Sequence, residues 1–547
     1  MKRLCCETGY FLRQKIFVIC LAITAICSYG FGITHIGIGV DDTMVELYLE
    51  DGLEVTMGRW TVYLINKLFH FGEFSPFITE FAGLLLLLLA VTLYCVLIRR
   101  ILGDRIGIWG YTAFACTFVS FPFISEVWVY YYHDGVDIGY VLAALSLLAF
   151  LNYLEQPGKG GRKYLLFSLL SVWGAVGCYE SFLILYLAGC LMLLFFRGLA
   201  GKENLTLKRL IQVLFLCFCI SVACIILRSL IQKLLIAVFS LQTEGFRDFS
   251  YGLQLFKENG LLQNIFMLVK RYWLIYYVNG AIYFPIAVHV LSVAVFGTAS
   301  VALSVKKKNG WYLLLFLGMI ILPFLLTFVE QKPPLYRACQ YMPFFVASAV
   351  LLLYCFFVVG GAHSRGRAAR ILFSLMAIWL VWNQAYESNY NFYTDYRKYE
   401  HDKDVLTEIA WTVARDYGPA ATVIFTGKYA PSSQLTERYY AGYASREFAT
   451  ISRLTDWLDP HLKEKYYRPY GYSFAGEAQY SVIEWGLYAY DHPGLELIHF
   501  LQMHGFSLQT VTDGSLISDA EKFAETMPSW PREGSITEWN GYVIVHF

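Results

Sequence analysis

The sequence predicts a mainly α protein, a polytopic membrane helical bundle of about eleven spans followed by a small soluble C-terminal domain of α/β or α+β type. Three observations carry this reading. Apolar blocks long enough to cross a bilayer as helices fill residues 1–390. Charged residues, Pro and Gly return to soluble frequencies beyond residue 390. Short clusters of Lys and Arg recur in every second loop.

Composition excludes an ordinary soluble chain. Of 547 residues, 57% are hydrophobic, 18% aromatic and only 16% charged, with a mean hydropathy of +0.48. A soluble domain carries roughly a quarter charged residues. The net charge of +1 gives no reason to expect a nucleic-acid partner, because the cations sit between apolar blocks. All 13 cysteines lie between Cys5 and Cys355, in apolar segments or near their ends. Cysteines placed this way behave as small hydrophobes. Neither a disulfide framework nor a metal-thiolate site is expected.

The expected spans are 16–36, 76–98, 106–124, 136–154, 164–179, 182–197, 210–228, 281–304, 311–328, 339–360 and 370–387. The stretch 164–179 is short, and 262–285 is the place for an extra interfacial or re-entrant helix. Lys2, Arg3, Arg13 and Lys15 precede the first span, and Arg99, Arg100 and Arg105 follow the second. Lys159, Arg162 and Lys163 come next, then Arg197, Lys202, Lys208 and Arg209, then Lys306, Lys307 and Lys308, and last Arg365, Arg367 and Arg370. Cytoplasmic loops carry such excess positive charge. The N-terminus is therefore expected inside, and the odd span number puts the tail outside the cytoplasmic membrane. The first apolar stretch is long for a signal peptide and lacks a small-x-small cleavage site, so it reads as an anchor. Residues 1–390 form the expected transmembrane domain and 391–547 the soluble extracytoplasmic one.

The opposite loops hold the unusual content. Asp41 and Asp42 directly follow the first span, and Glu46, Glu50, Asp51 and Glu54 lead to Gly58-Arg59-Trp60. Trp60, Val62, Tyr63, Ile65, Leu68 and Phe69 then have helical spacing, which suggests an amphipathic helix in the interface, with Lys67 and His70 toward headgroups. An acidic pair inside a bundle would be functional. The plainer reading has Asp41 and Asp42 capping a helix over 43–50. Glu46, Glu50 and Glu54, at i, i+4 and i+8, read as a wet helical face.

Further candidates on the same side are Glu126, His133, Asp134 and Asp137, and the Tyr179-Glu180-Ser181 turn between two closely spaced spans. The cations there are Arg247, Lys270, Arg271 and Arg337. Each cation either snorkels or pairs at a helix end, or helps to hold the phosphate of a lipid substrate, which suits the arginine fork. Which of the four would be the phosphate ligand stays open. No Gly-rich phosphate loop, HExxH motif or Ser/His/Asp set stands out. No internal repeat is evident, and charges within the spans are few, both unlike an ion-coupled carrier.

Several stretches together carry a resemblance. They are the outer Asp-Asp, the acidic loop and GRWTVYLINKLF, then FPFISEVWVYYY, CYESFLILY, YRACQYMPFF, RKYEHDKDVLTEIA and the closing MPSWPREGSITEWNGYVIVHF. The chain resembles the bacterial polytopic glucosyltransferases that modify O-antigen and cell-surface polysaccharide, of the serotype-conversion type, over most of its length. These belong to the GT-C superfamily. The resemblance implies a polyprenyl-phosphate-hexose donor, a glycan or lipid-linked glycan acceptor and an essential acid early in the first outer loop. It implies Asp41 or Asp42 as that acid, with Arg59 as its partner. The other outer-loop residues, Glu126, His133, Asp134, Glu180, Lys270, Arg271 and Arg337, are candidate substrate-binding residues by their position in the sequence. No metal ligand or cofactor is assigned, and a divalent metal stays open.

The chemistry is coherent with that implication. Inverting glycosyl transfer needs a base for the acceptor proton and cations for the departing phosphate. Glu180 or His133 is the alternative base. A polysaccharide polymerase and a lipid-linked oligosaccharide flippase or other transporter are the competing functions. Residues 399–416 read as a helix, 421–427 as a strand, about 494–504 as another helix, and GYVIVHF as a closing strand. The tyrosine-rich middle, including RPYGYSFAGEAQY, would either stack on sugar rings or serve as a structural cap.

Overall fold

A computed structural model describes residues 2–35, 37, 52–70, 75–125, 127–128, 134–156, 158, 160–241, 286–322, 336–359, 366–429, 482–488 and 494–547. Every expected span overlaps a helix. In chain order these are α1 (Lys2–Leu12), α2 (Lys15–Thr34), the short α3 (Leu53–Thr56) and α4 (Trp60–Ile65), α5 (Pro76–Leu102), α6 (Gly107–Val119), the short α7 (Pro122–Ser125), α8 (Asp134–Glu155), α9 (Arg162–Val176), α10 (Phe182–Leu199), α11 (Leu207–Phe239), α12 (Ile286–Lys307), α13 (Trp311–Ile321), α14 (Tyr341–Tyr354) and α15 (Gly366–Tyr417). Among the described residues, 8 helices are long and apolar enough to cross a membrane. The protein is a polytopic helical membrane protein.

Helix packing follows membrane rules, with large apolar side chains facing outward. On α11, Ile211, Phe215, Phe218, Ile226 and Leu230 are exposed, and on α15 so are Leu372, Leu375, Ile378 and Trp379. Lipid can cover such a belt, whereas water would penalise it. Inside, small residues let helices approach closely. Where α8 crosses α9, Ser146 Oγ donates to the Ser168 carbonyl at 2.8 Å and Ser168 Oγ to the Ser146 carbonyl at 3.0 Å. Tyr29 on α2 donates to the Val119 carbonyl of α6 at 2.7 Å.

The bundle has one end rich in cations. There Arg100 meets Glu7, Arg197 and Arg209 share Glu203 at 3.1 and 3.3 Å, and the Arg99 guanidinium lies over the Tyr10 ring. The far end carries the α2–α5, α8, α9–α10 and α13–α14 connections.

Helix α15 runs from the bundle into the C-terminal part without a break. Beyond it come β1 (Thr422–Thr426), α16 (Val482–Tyr488), α17 (Leu495–Met503), β2 (Gln509–Thr510), α18 (Gly514–Ala524), β3 (Ile536–Trp539) and β4 (Tyr542–His546). The sheet order is β2-β1-β4-β3, with β1 parallel to both neighbours and β3 antiparallel to β4. Strand alternation sorts the two faces. Val423, Phe425, Val543 and Val545 pack with Leu406, Ile409, Ala410 and Val413 of α15 and with α17. Ile424 and Ile544 face Ala520 and Ala524 of α18. The β3–β4 turn is Asn540-Gly541, both at positive φ, as a two-residue hairpin demands. Asp402 of α15 accepts the Ile483 N–H at 2.8 Å, so its carboxylate fixes the start of α16. The result is a small α/β unit, with the helices expected near 399–416 and 494–504 and the strands expected near 421–427 and the C-terminus all present. RPYGYSFAGEAQY lies outside the described residues.

Candidate functional site

The far end is organised around the three-residue turn Tyr179-Glu180-Ser181, between α9 and α10. The Arg59 guanidinium lies over the Tyr179 ring, 4.5 Å from its centroid. Glu180 Oε1 accepts from Arg228 Nη2 of α11 at 2.8 Å. Ser181 Oγ donates to Gln340 Oε1, and Gln340 Nε2 donates to the Arg337 carbonyl. One turn therefore links Arg59, Glu180 and the backbone of Arg337, three of the candidates expected from sequence.

The loop that carries Arg59 is built on glycines and on the helix ends beneath it. Gly52 and Gly58 have φ of +66° and +85°, backbone that side-chain-bearing residues rarely adopt. Between them α3 makes one turn, and the Arg59 N–H donates to the Glu54 carbonyl at 2.6 Å. Thr61 then ties α4 to α9, its N–H to the Gly177 carbonyl and its hydroxyl to the Gly174 carbonyl, both at 2.9 Å. Trp60 packs on Trp173 with ring centroids 4.6 Å apart. The start of α8 lies against α4, since a β-carbon on Gly135 would stand 3.0 Å from Val62. This puts the backbone at Asp134 beside the same loop.

One sequence reading needs correction. Glu54 is not on a wet face: its Oε2 is buried without a hydrogen bond in the structure. Burial pushes its carboxyl up to about 7, against the pull of Arg59, Asn66 and Lys67 toward the ionised form. The cause is the fold of α3 under the loop, which turns Glu54 inward. The helix expected after Arg59 is present, α over Trp60–Ile65 and π over Asn66–His70. Trp60, Val62 and Tyr63 stay buried, whereas Leu68 and Phe69 become exposed, at 66% and 72%.

Sequence reasoning missed Arg228. The expected span ended at that residue, yet α11 continues to Phe239. The available signal was Arg228 and Gln232, four residues apart in a mostly apolar run, hence on one helix face. Asp41, Asp42, Glu126, His133, Arg247, Lys270 and Arg271 lie outside the described residues, as does the side chain of Asp134. Among the described residues, no three His, Cys, Asp or Glu side chains gather as a metal site.

Residues 30–354, more than half of the chain, match the family described as Glucosyl transferase GtrII. The match begins near the end of α2 and runs to the end of α14, so it contains the whole far-end arrangement. No curated protein and no solved structure matches the chain. The chain belongs to the GtrII glucosyl transferase family.

Proposed function

We propose that this protein moves glucose from a polyprenyl-phosphate-linked donor to a cell-surface glycan, at the outer face of the cytoplasmic membrane, in a GT-C-like bundle. The observation that carries the reading is the convergence of Arg59, Glu180 and the Arg337 segment on one turn, at the end away from the basic clusters. In the proposed orientation the basic loops face the cytoplasm and residues 391–547 lie outside, as a soluble domain. A lipid donor reaches such a site from within the bilayer.

Asp41 or Asp42 takes the proton of the acceptor hydroxyl as its oxygen attacks the anomeric carbon. The bond from that carbon to the phosphate oxygen breaks with inversion, and its electron pair leaves with the polyprenyl phosphate. Arg59 and Arg337, with Lys270 and Arg271, supply positive charge to that phosphate.

The test uses purified full-length protein with polyprenyl-phosphate-glucose and an acceptor glycan, comparing wild type with Asp41→Asn and Asp42→Asn. Transfer that collapses in one variant, with folding intact, supports the reading and picks the base. Full activity in both variants removes the acidic pair from the mechanism. No glucose transfer by the wild type would favour a polymerase or a flippase instead. Chelator treatment in the same assay decides whether a divalent metal takes part.

A further inference from the structure

We infer that Arg228 is a positioning residue: together with Glu180 it clamps the turn from Thr56 to Arg59, and so sets where Arg59 stands in the site. The inference rests on the proposed glucosyl transfer, but the clamp can be examined without it.

The guanidinium reaches three acceptors on two segments. Nη2 donates to the Met57 carbonyl at 2.6 Å and to Glu180 at 2.8 Å, and Nε points at the Gly58 carbonyl at 3.4 Å. One helical turn later, Gln232 Nε2 donates to the Thr56 carbonyl at 2.7 Å. The Thr56 carbonyl ends α3 and those of Met57 and Gly58 follow it in the turn, at a helix end where the last carbonyls have no donor within the helix itself. Two side chains of α11 therefore do what a C-cap would do, from a different part of the chain.

Gly58 shows how closely the clamp fits. A β-carbon there would lie 2.0 Å from Arg228 Nη2, and φ is +85°. The turn passes only because position 58 has no side chain. The residue after it is Arg59, whose guanidinium sits on Tyr179, the neighbour of Glu180. Arg228 thus holds both the backbone just before Arg59 and the turn on which Arg59 rests. A planar fork can span carbonyl and carboxylate together, whereas a lysine ammonium lacks that geometry.

The experiment takes full-length protein in lipid nanodiscs and compares Arg228→Gln, Arg228→Lys, Glu180→Gln and the double variant Arg228→Gln/Glu180→Gln. Two readouts are used: glucose transfer from polyprenyl-phosphate-glucose, and amide exchange at Val55, Thr56, Gly58 and Arg59, whose N–H groups close the turn. The expected result for Arg228→Gln is a kcat fall of about 100-fold, the scale of a small misplacement, with donor KM nearly unchanged and faster exchange at the four amides. Arg228→Lys recovers part of kcat, and the double variant is no worse than Arg228→Gln alone. Raised KM with kcat unchanged would mean direct substrate contact and overturn the inference, as would lost activity with exchange unaltered. Should Arg228→Gln not fold, Gly58→Ala perturbs the same turn from the other side, and unaltered exchange there counts against the clamp. Wild type that transfers no glucose sinks the proposed function alone, because the exchange comparison still decides the clamp.

Discussion

The Arg59 guanidinium lies over the Tyr179 ring, its central carbon 4.5 Å from the ring centroid, although 120 positions of sequence separate the two residues. The contact joins the first loop of the far end to the α9–α10 turn. A cation over an aromatic face gains about 0.5–2 kcal/mol, more when water is excluded.

Replacing that ring tests its role. Tyr179→Phe keeps the π face and should retain glucosyl transfer within about twofold. Tyr179→Leu removes the face and should lower kcat/KM about tenfold, matching about 1.4 kcal/mol of lost orientation. Kinetics of the two variants side by side check this. Equal losses in both would point to the hydroxyl instead.

Glu54 makes the loop sensitive to pH. Its folded pKa of about 7 lies above the unfolded value of 4.5. Between those values the folded state holds a proton that the unfolded state has released, so stability falls as pH rises. The contribution is fully present below pH 4.5 and is lost by the time pH has passed about 7. Its upper bound is between about 3 and 4 kcal/mol, since each tenfold difference in proton affinity between the two states is worth about 1.4 kcal/mol. Thermal midpoints at pH 5 and pH 8 should therefore differ less in Glu54→Gln than in wild type, with the variant gaining at pH 8. An unchanged difference would place Glu54 in water.

Gly177 is where the loop presses on the bundle. A β-carbon there would stand 2.3 Å from Thr61 Oγ1 and 2.4 Å from the Trp60 ring. Gly177→Ala should cost about 1–3 kcal/mol through overpacking and should lower activity by shifting α4. Gly160→Ala is the control, since nothing lies within 4 Å of that position, and it should stay within about 0.5 kcal/mol of wild type. Denaturation midpoints and transfer rates of both variants provide the check.

Spans were legible because a bilayer sets helix length, and each apolar block found its helix. What escaped was polar detail inside the helices. Arg228 looked like the end of a span, since a charge in lipid is costly. In the fold it faces protein carbonyls and Glu180, so α11 continues past it. Glu54 looked wet because its spacing from Glu46 and Glu50 fits a surface helix, and only the turn between Gly52 and Gly58 directs it inward. Arg59, Glu180 and Arg337 were legible as candidates, but not their common meeting point. That point depends on Tyr179, which the sequence offered only as a neighbour of Glu180, and on Gln340, whose residue type gives no warning of it.

Beyond the expected span, one face of α15 carries charges that are taken out of water. Lys398 is 5% exposed and its Nζ stands 3.6 Å from Asp395 Oδ1. Asp402, one turn further on and fully buried, accepts the Ile483 N–H and so anchors α16. The three charges share one side of the helix, because residues three, four and seven apart do so. Lys398→Met removes the cation beside the half-buried Asp395 and the buried Asp402. The cost should be about 3–5 kcal/mol, as for other buried pairs broken on one side. Replacing both partners, Lys398→Met with Asp395→Leu, should recover part of it, since an apolar pair of similar size avoids an uncompensated charge. Proteolysis at the α15–α16 contact reads the effect directly: α16 should become accessible in Lys398→Met and be protected again in the double variant. Equal protection in all three proteins would mean that Lys398 keeps its charge in water and contributes little to docking α16.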